Sequence, residues 1–227
     1  GDIALRLQHV SVAGSREGRG LEDVTLQVRR GEVLGVAGVE NSGHHVLLRV
    51  LSGRAKATAG EVWAAGSVAF VPEDRQRDAL VLDFTLAENV ALKGAAVRRG
   101  RMRWPVWRRL TSQLIRDFDV RASGVDTPAR SLSGGNQQKL VLARELDDAP
   151  VAVVAENPTR GLDVRSSAAV HARLGEAAAR GMAVVVYSAD LDEVLAIATR
   201  MVAVHAGRVL DVARDREAVG RAMLGVG

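Results

Sequence analysis

The segment that most constrains the fold is Val33-Leu34-Gly35-Val36-Ala37, which leads through Gly38-Val39-Glu40-Asn41-Ser42-Gly43 into a helical pattern from His44 to Leu51. An unbroken apolar run of this length suits a strand buried on both faces, the situation of an inner strand in a parallel sheet. A strand that turns through glycines into a helix leaves backbone N–H groups free at the helix start, where an anion can sit. Two further stretches follow the same logic. In Ser131-Leu132-Ser133-Gly134-Gly135-Asn136-Gln137-Gln138-Lys139, a serine and two glycines open an apolar-periodic segment. Val151-Ala152-Val153-Val154 reads as a buried strand and runs into Glu156-Asn157-Pro158-Thr159-Arg160-Gly161-Leu162-Asp163.

The rest of the pattern is consistent with this start. Strands are expected at 3–12, 21–28, 182–187 and 201–205, with one or two more in 62–71. Helices are expected at 165–180 and 190–199, and Ala206-Gly207-Arg208 turns into Val209-Leu210-Asp211. Strands alternating with helices argue for an α/β fold with a mostly parallel sheet. From about Leu80 to Leu146 the pattern turns helical, with interruptions expected at Pro105 and at Ser123-Gly124. That block reads as an inserted helical subdomain, 80–146, in a single domain whose core is 1–79 and 147–227.

Composition excludes several classes. The chain has 227 residues and no cysteine, so disulfides and cysteine metal sites are ruled out. No apolar run approaches the ~18–20 residues of a membrane span. Gly1-Asp2-Ile3-Ala4 has neither a basic n-region nor an apolar h-region, so a cytoplasmic setting is expected. It also lacks a methionine, as an excised part of a longer protein would. Net charge is +4, and arginine supplies 28 of the 31 basic residues. This balance falls short of a nucleic-acid-binding extreme and reads as an arginine-rich solvated surface.

Gly38 to Gly43 has the Gly-x-x-x-x-Gly spacing of a phosphate-binding loop, between a strand and a helix as such a loop requires. The next two residues would be Lys and then Ser or Thr; here they are His44 and His45. The lysine sets a full charge against phosphate and the hydroxyl ligates Mg²⁺. His44 is mostly neutral at pH 7 unless a phosphate raises its pKa. His45 offers nitrogen where a hard cation wants oxygen. A plain strand–turn–helix with glycine at the turn is the alternative reading of this loop taken alone.

The order and spacing of these motifs resemble the nucleotide-binding domain of an ABC transporter. More narrowly, the chain resembles the C-terminal, degenerate cassette of fused two-cassette proteins that power sugar and nucleoside importers. Besides the loop, the resemblance is carried by Val71-Pro72-Glu73-Asp74-Arg75-Gln76-Arg77-Asp78, by Ala87-Glu88-Asn89, by the stretch from Ser131 and by Asn157-Pro158-Thr159-Arg160-Gly161-Leu162-Asp163-Val164. It implies a P-loop NTPase (RecA-like) core with an N-terminal antiparallel β part and an inserted α-helical subdomain. It implies ATP and Mg²⁺ as cofactors, held by Gly38, Glu40, Asn41, Ser42, Gly43, His44, His45, Glu73 and Glu156. Several positions depart from the family pattern. Glu73 stands for the Q-loop glutamine, where a carboxylate could approach Mg²⁺ but would repel phosphate, and Glu156 stands for the Walker B aspartate with a side chain one methylene longer. Asn157 stands for the catalytic glutamate, and an amide cannot take a proton from water. Ala189 stands for the switch histidine. The aromatic that stacks on adenine is missing from residues 9–16.

The signature residues Ser133, Gly134, Gly135 and Asn136 are intact, as are Gly161 and Asp163 of the D-loop. In ABC dimers these face the partner's ATP. The resemblance therefore implies a chain whose own site is weak or inactive and whose signature completes the ATP site of a second cassette, fused N-terminally to it. Transmembrane permease subunits are implied as partners, with a solute-binding protein acting indirectly. The implied location is the inner face of the cell membrane, and no nucleic acid is expected. Two rivals remain open at this stage: an active homodimeric ATPase using a charged His44, and a non-transport ABC protein acting on nucleic acid. The run Arg98–Arg109 has six arginines, two tryptophans and no acid. It reads as a solvated edge, as a lipid or membrane-subunit contact, or as a nucleic-acid contact.

Overall fold

The computed structural model describes residues 1–14, 18–95 and 98–226. Its elements run β1 (Ile3–Val12), β2 (Leu21–Arg29), β3 (Val33–Gly38), α1 (His44–Leu51), β4 (Ala59–Ala64), β5 (Val68–Val71), α2 (Arg75–Asp78), α3 (Leu86–Ala91) and α4 (Trp104–Asp117). A 3-10 turn at Ala129–Ser131 precedes α5 (Gly134–Leu146), β6 (Ala152–Glu156), α6 (Val164–Ala179), β7 (Ala183–Tyr187), α7 (Leu191–Ile197), β8 (Arg200–His205), β9 (Arg208–Val212) and α8 (Arg216–Leu224). Packing divides the chain into two units. The first holds Gly1–Phe70, Ala149–Pro158 and His171–Gly227; the second holds Val71–Asp148 and Thr159–Val170. The second unit therefore starts nearer the chain's beginning than residue 80 and takes in a stretch well past residue 146.

In the first unit a six-stranded sheet has the order β5-β6-β7-β3-β8-β9. Every residue of β3, β6 and β7 is buried, which is why these strands read as continuous apolar runs rather than alternating ones. β3 runs parallel to both β7 and β8, and β6 runs parallel to β7. Val36 and Glu156 both pair with Tyr187, so β3, β6 and β7 finish at one end of the sheet. In open parallel sheets that carboxyl end is where ligands bind. A separate antiparallel sheet has the order β2-β1-β4. It supplies Leu5, Leu7, Leu26 and Val28 to the same core as Leu34, Val36, Leu47 and Leu48.

Helix starts follow their caps. Thr85 and Glu88 form a full capping box at α3, and Asp190 and Asp215 cap α7 and α8. α1 and α4 are exceptions: their caps, Gly43 and Arg103, make no side-chain hydrogen bond, and neither helix has an acid in its first turn. In the second unit, the buried Asn89 carboxamide accepts from Val81 N–H and donates to the carbonyls of Val81, Phe84 and Thr85. It thereby fastens the loop that leads into α3.

One local expectation is corrected, and one helix is added. Pro105 does not interrupt a helix; it lies in the first turn of α4, where its missing N–H costs nothing and its fixed φ favours the start. α8 does not appear in the sequence reading because Gly220 breaks an already short pattern. Val219 is nevertheless fully buried, and Asp215 is a regular N-cap.

Gly35 has no room for a side chain. A Cβ there would lie 2.2 Å from Met201 Sδ, 2.6 Å from Val194 Cγ1 and 2.9 Å from Ala198 Cβ. Gly35→Ala is expected to destabilise the chain by about 1–3 kcal/mol, as overpacking of a filled core does. A lower midpoint in chemical denaturation, with an unchanged slope, is the readout.

Candidate functional site

Ten of the sequence-predicted site residues lie in the first unit, at the shared end of β3, β6 and β7. The loop from Gly38 to Gly43 is tied down by its own backbone: Ser42 N–H donates to Val39 C=O at 3.0 Å, and Ser42 C=O accepts from Gly207 N–H at 2.8 Å. Asn41 has φ 60° and Gly43 φ 105°. At Gly43 a Cβ would lie 2.8 Å from Gly20 O, so the turn needs glycine both for its φ and for the close approach. Glu40 and Asn41 are exposed.

His44 does not reach outward. It is fully buried, and its ring stacks on Tyr187 with centroids 4.3 Å apart and planes 30° apart. Its Nδ1 pairs with Ser42 Oγ at 2.8 Å, and this pair fills the space beside Gly38. Its Nε2 is buried without a hydrogen-bond partner. Burial, and secondly the adjacent His45, push the imidazole pKa from 6.5 down to about 4. The ring at the lysine position is therefore neutral at pH 7.

His45 lies 4.0 Å, centroid to centroid, from His44 and edge-on to Tyr187. Its Nδ1 is hydrogen-bonded to Glu156 Oε1. Glu156 ends β6 and is buried, so its carboxylate is matched by an imidazole N–H. Asn157 follows in the left-handed region, with φ 42°. Its N–H donates to Tyr187 C=O at 2.8 Å, and its side-chain Oδ1 accepts from Ala189 N–H at 2.7 Å. The Asn157 carboxamide thus holds the loop that carries Ala189. Tyr187, at the centre of all these contacts, is the residue that sequence reasoning missed. It is the chain's single tyrosine, placed as the last residue of an apolar strand, and that position was its one available signal. Burial raises its hydroxyl pKa, and Glu40 and Glu156 add to the shift.

The remaining predicted residues lie in the second unit. Ser133 caps α5, with its hydroxyl accepting from Asn136 Nδ2–H at 3.0 Å. Asn136 Oδ1 in turn accepts from Arg121 N–H. The first turn of α5 contains no acid, so the positive end of its dipole is not offset. Gly134 lies against the Arg75 guanidinium and Gly135 against Ser166 Oγ, where a Cβ would come within 2.6 and 2.5 Å respectively. Asp163 accepts from both the N–H and the hydroxyl of Ser166, which holds its carboxyl below the usual range. Gly161 is exposed with φ 70°. Glu73 is ion-paired with Arg160, and Arg75 donates to Arg160 C=O at 3.0 Å. Arg75 and Arg160 are thus further parts of this cluster that the sequence did not single out as site residues.

The metal chemistry expected of Glu73 and Glu156 meets prior engagements: each carboxylate already holds a cationic or N–H partner. Among the described residues, no group of three or more His, Asp or Glu is arranged to hold a metal ion. Of the stretch 9–16, where a stacking aromatic is missing, Ser15 and Arg16 lie outside the described residues.

Residues 21–160 match the family model described as "ABC transporter". The chain belongs to the ABC transporter family. Curated relatives of this ABC chain bear the names of import proteins. It is 36% identical over 226 residues to the nucleoside import ATP-binding protein NupA of Lactococcus lactis subsp. cremoris, covering 92% of this chain and 45% of the relative. It is 33% identical to the ribose import ATP-binding protein RbsA of Halalkalibacterium halodurans, covering 93% and 45%. The chain thus spans about half the length of these curated relatives. Among solved structures, it superposes on the cassette MJ0796, in a dimeric post-hydrolysis state with ADP and Pi, at TM-score 0.77 and 22% identity, covering 93% of this chain and 99% of that one. A putative metal-chelate type ABC transporter gives TM-score 0.83 at 19% identity, covering 99% and 90%. At such identities these two likenesses speak for the fold of this ABC cassette.

The depressed His44 pKa has a sign. The unfolded chain takes up a proton at His44 near pH 6.5, whereas the folded chain resists it until about pH 4. Stability is therefore flat above pH 6.5 on this account and falls as pH drops from 6.5 towards 4. His44→Phe, which keeps a ring on Tyr187 and removes the unpartnered nitrogen, is expected to flatten that fall. Urea midpoints measured from pH 7 to pH 4 on both proteins check it.

Proposed function

We propose that this chain is the nucleotide-binding cassette of a bacterial importer for a sugar or a nucleoside, with its own phosphate loop degenerate and its signature helix completing the ATP site of a second cassette. The single observation that carries this reading is the neutral, buried His44 in the lysine position, stacked on Tyr187 and bonded to Ser42. Such a ring gives β- and γ-phosphates no positive charge. His45 gives Mg²⁺ no oxygen, and Asn157 gives water no proton acceptor. Mg·ATP thus does not fit this loop as it stands, and no hydrolytic step is assigned to it.

The signature half fits an anion. Ser133, the amides opening α5 and the uncompensated helix dipole present donors and positive potential with no carboxylate in the first turn. Gly161 and Asp163 are exposed, and Asp163 is held by its bonds to Ser166, as a residue meeting a partner would be. Names of relatives such as "Nucleoside import ATP-binding protein" support permease subunits as membrane partners. A relative of about twice this length supports a second cassette fused N-terminally, and a solute-binding protein would act only through the permease. No helix among the described residues is long and apolar enough to cross a membrane, consistent with a peripheral subunit on the inner face. The homodimeric ATPase needs His44 charged at pH 7, which its burial opposes.

Calorimetry of Mg·ATP binding to this chain, with phosphate release measured on the same sample, is the test. Weak or absent binding and no turnover are expected. His44→Lys/His45→Ser is expected to raise ATP affinity roughly 10–100-fold, the worth of a charge-assisted hydrogen bond. Tight binding with brisk turnover by the unaltered chain would overturn the reading and favour the homodimeric ATPase.

A further inference from the structure

We infer that Arg101, Arg103, Trp104, Val106 and Arg109 form a contact surface for the anionic headgroups of a lipid bilayer. The six arginines of this run do different jobs. Arg98 is a structural staple: its guanidinium donates to the carbonyls of Ala91 and Lys93, both at 2.7 Å, and lies over the Trp107 ring at 4.3 Å. Arg108 is matched by Asp126 at 2.8 Å, and Arg99 bonds to the Arg98 carbonyl. The side chains of Arg101, Arg103 and Arg109 are exposed and make no hydrogen bond or ion pair with any described residue. Three positive charges are therefore available to an outside partner.

The two tryptophans differ in the same way. Trp107 turns inward with Leu110, Thr111 and Leu114, which form the packed face of α4. Trp104 is 39% exposed and Val106 51%, with Pro105 exposed between them. An indole, a proline ring and an isopropyl group are thus exposed in succession at the start of α4, in the same segment as the unmatched guanidinium groups of Arg101, Arg103 and Arg109. Interfacial segments combine these same parts: basic side chains meet phosphate, while an aromatic ring and short aliphatic groups enter the headgroup boundary. Single-stranded nucleic acid would instead stack successive bases on a series of aromatic faces, and this surface offers one ring beside aliphatic neighbours. The contact requires no nucleotide site, so failure of the cassette reading and failure of this one are separate events.

The test is co-sedimentation of the chain with vesicles of phosphatidylcholine alone and of phosphatidylcholine with phosphatidylglycerol. Binding is expected to the anionic vesicles only, and to fall as salt rises. Each arginine near such a surface is worth about fivefold in partitioning, so Arg101→Gln/Arg103→Gln/Arg109→Gln is expected to lose roughly a hundredfold. A tryptophan fluorescence blue shift on binding is expected to disappear in Trp104→Phe. Arg29→Gln/Arg30→Gln, in the first unit, is expected to bind like the parent. Circular dichroism on each variant separates loss of contact from loss of fold. The inference is overturned by equal binding to neutral vesicles, by no binding, by an unchanged triple variant, or by RNA oligonucleotides binding more tightly than the vesicles do.

Discussion

The stack of His44 on Tyr187 organises the end of the sheet. One ring belongs to the first residue of α1 and the other to the last residue of β7, so the contact fixes the entry of the helix against the strand beside β3. Around it, Tyr187 C=O holds Asn157, and Asn157 holds Ala189. His45 leans on the same tyrosine and engages Glu156. The positions that would handle phosphate, metal, water and γ-phosphate in the family pattern are here engaged within the protein: His44 with Ser42 and Tyr187, His45 with Glu156, and Asn157 with Ala189. Apart from the buried His44 Nε2, the polar groups of this cluster named here are engaged by one another or by neighbouring backbone.

The second unit shows the reverse. The start of α5 has a serine cap, two glycines and no acid, and its neighbours are guanidinium groups and exposed loop backbone. The Glu73 carboxylate, which would repel a phosphate, is paired with Arg160. The asymmetry between the two units is therefore one of availability: one set of donors is consumed by the protein, the other is left facing out.

Much of this was legible beforehand, for identifiable reasons. β3 and α1 were readable because burial on both faces and a glycine turn leave strong marks in sequence, and α1 begins at His44 as its periodicity implies. The positions of Asn157, Ala189 and the histidines were readable as departures from a pattern. Their partners were not. No spacing rule connects Tyr187 to His44 or Arg160 to Glu73, since 143 and 87 residues separate them and only the folded chain makes them neighbours. Pro105 misled because proline both ends helices and begins them, and the choice depends on the packing of Leu110, Thr111 and Leu114 further along. The His44 shift was also invisible, because burial rather than residue type sets it.

The anchoring of the glycine loop has one more consequence. Gly43 sits under Gly20 O, Ser42 C=O accepts from Gly207, and Gly207 C=O accepts from Glu22 N–H. The loop is thus bolted to the start of β2 and to the β8–β9 turn, neither of which belongs to a nucleotide site. Its rigidity is inherited from the scaffold and owes nothing to a guest. Amide exchange in the loop is therefore set by the opening of the sheet around it rather than by what the solvent contains.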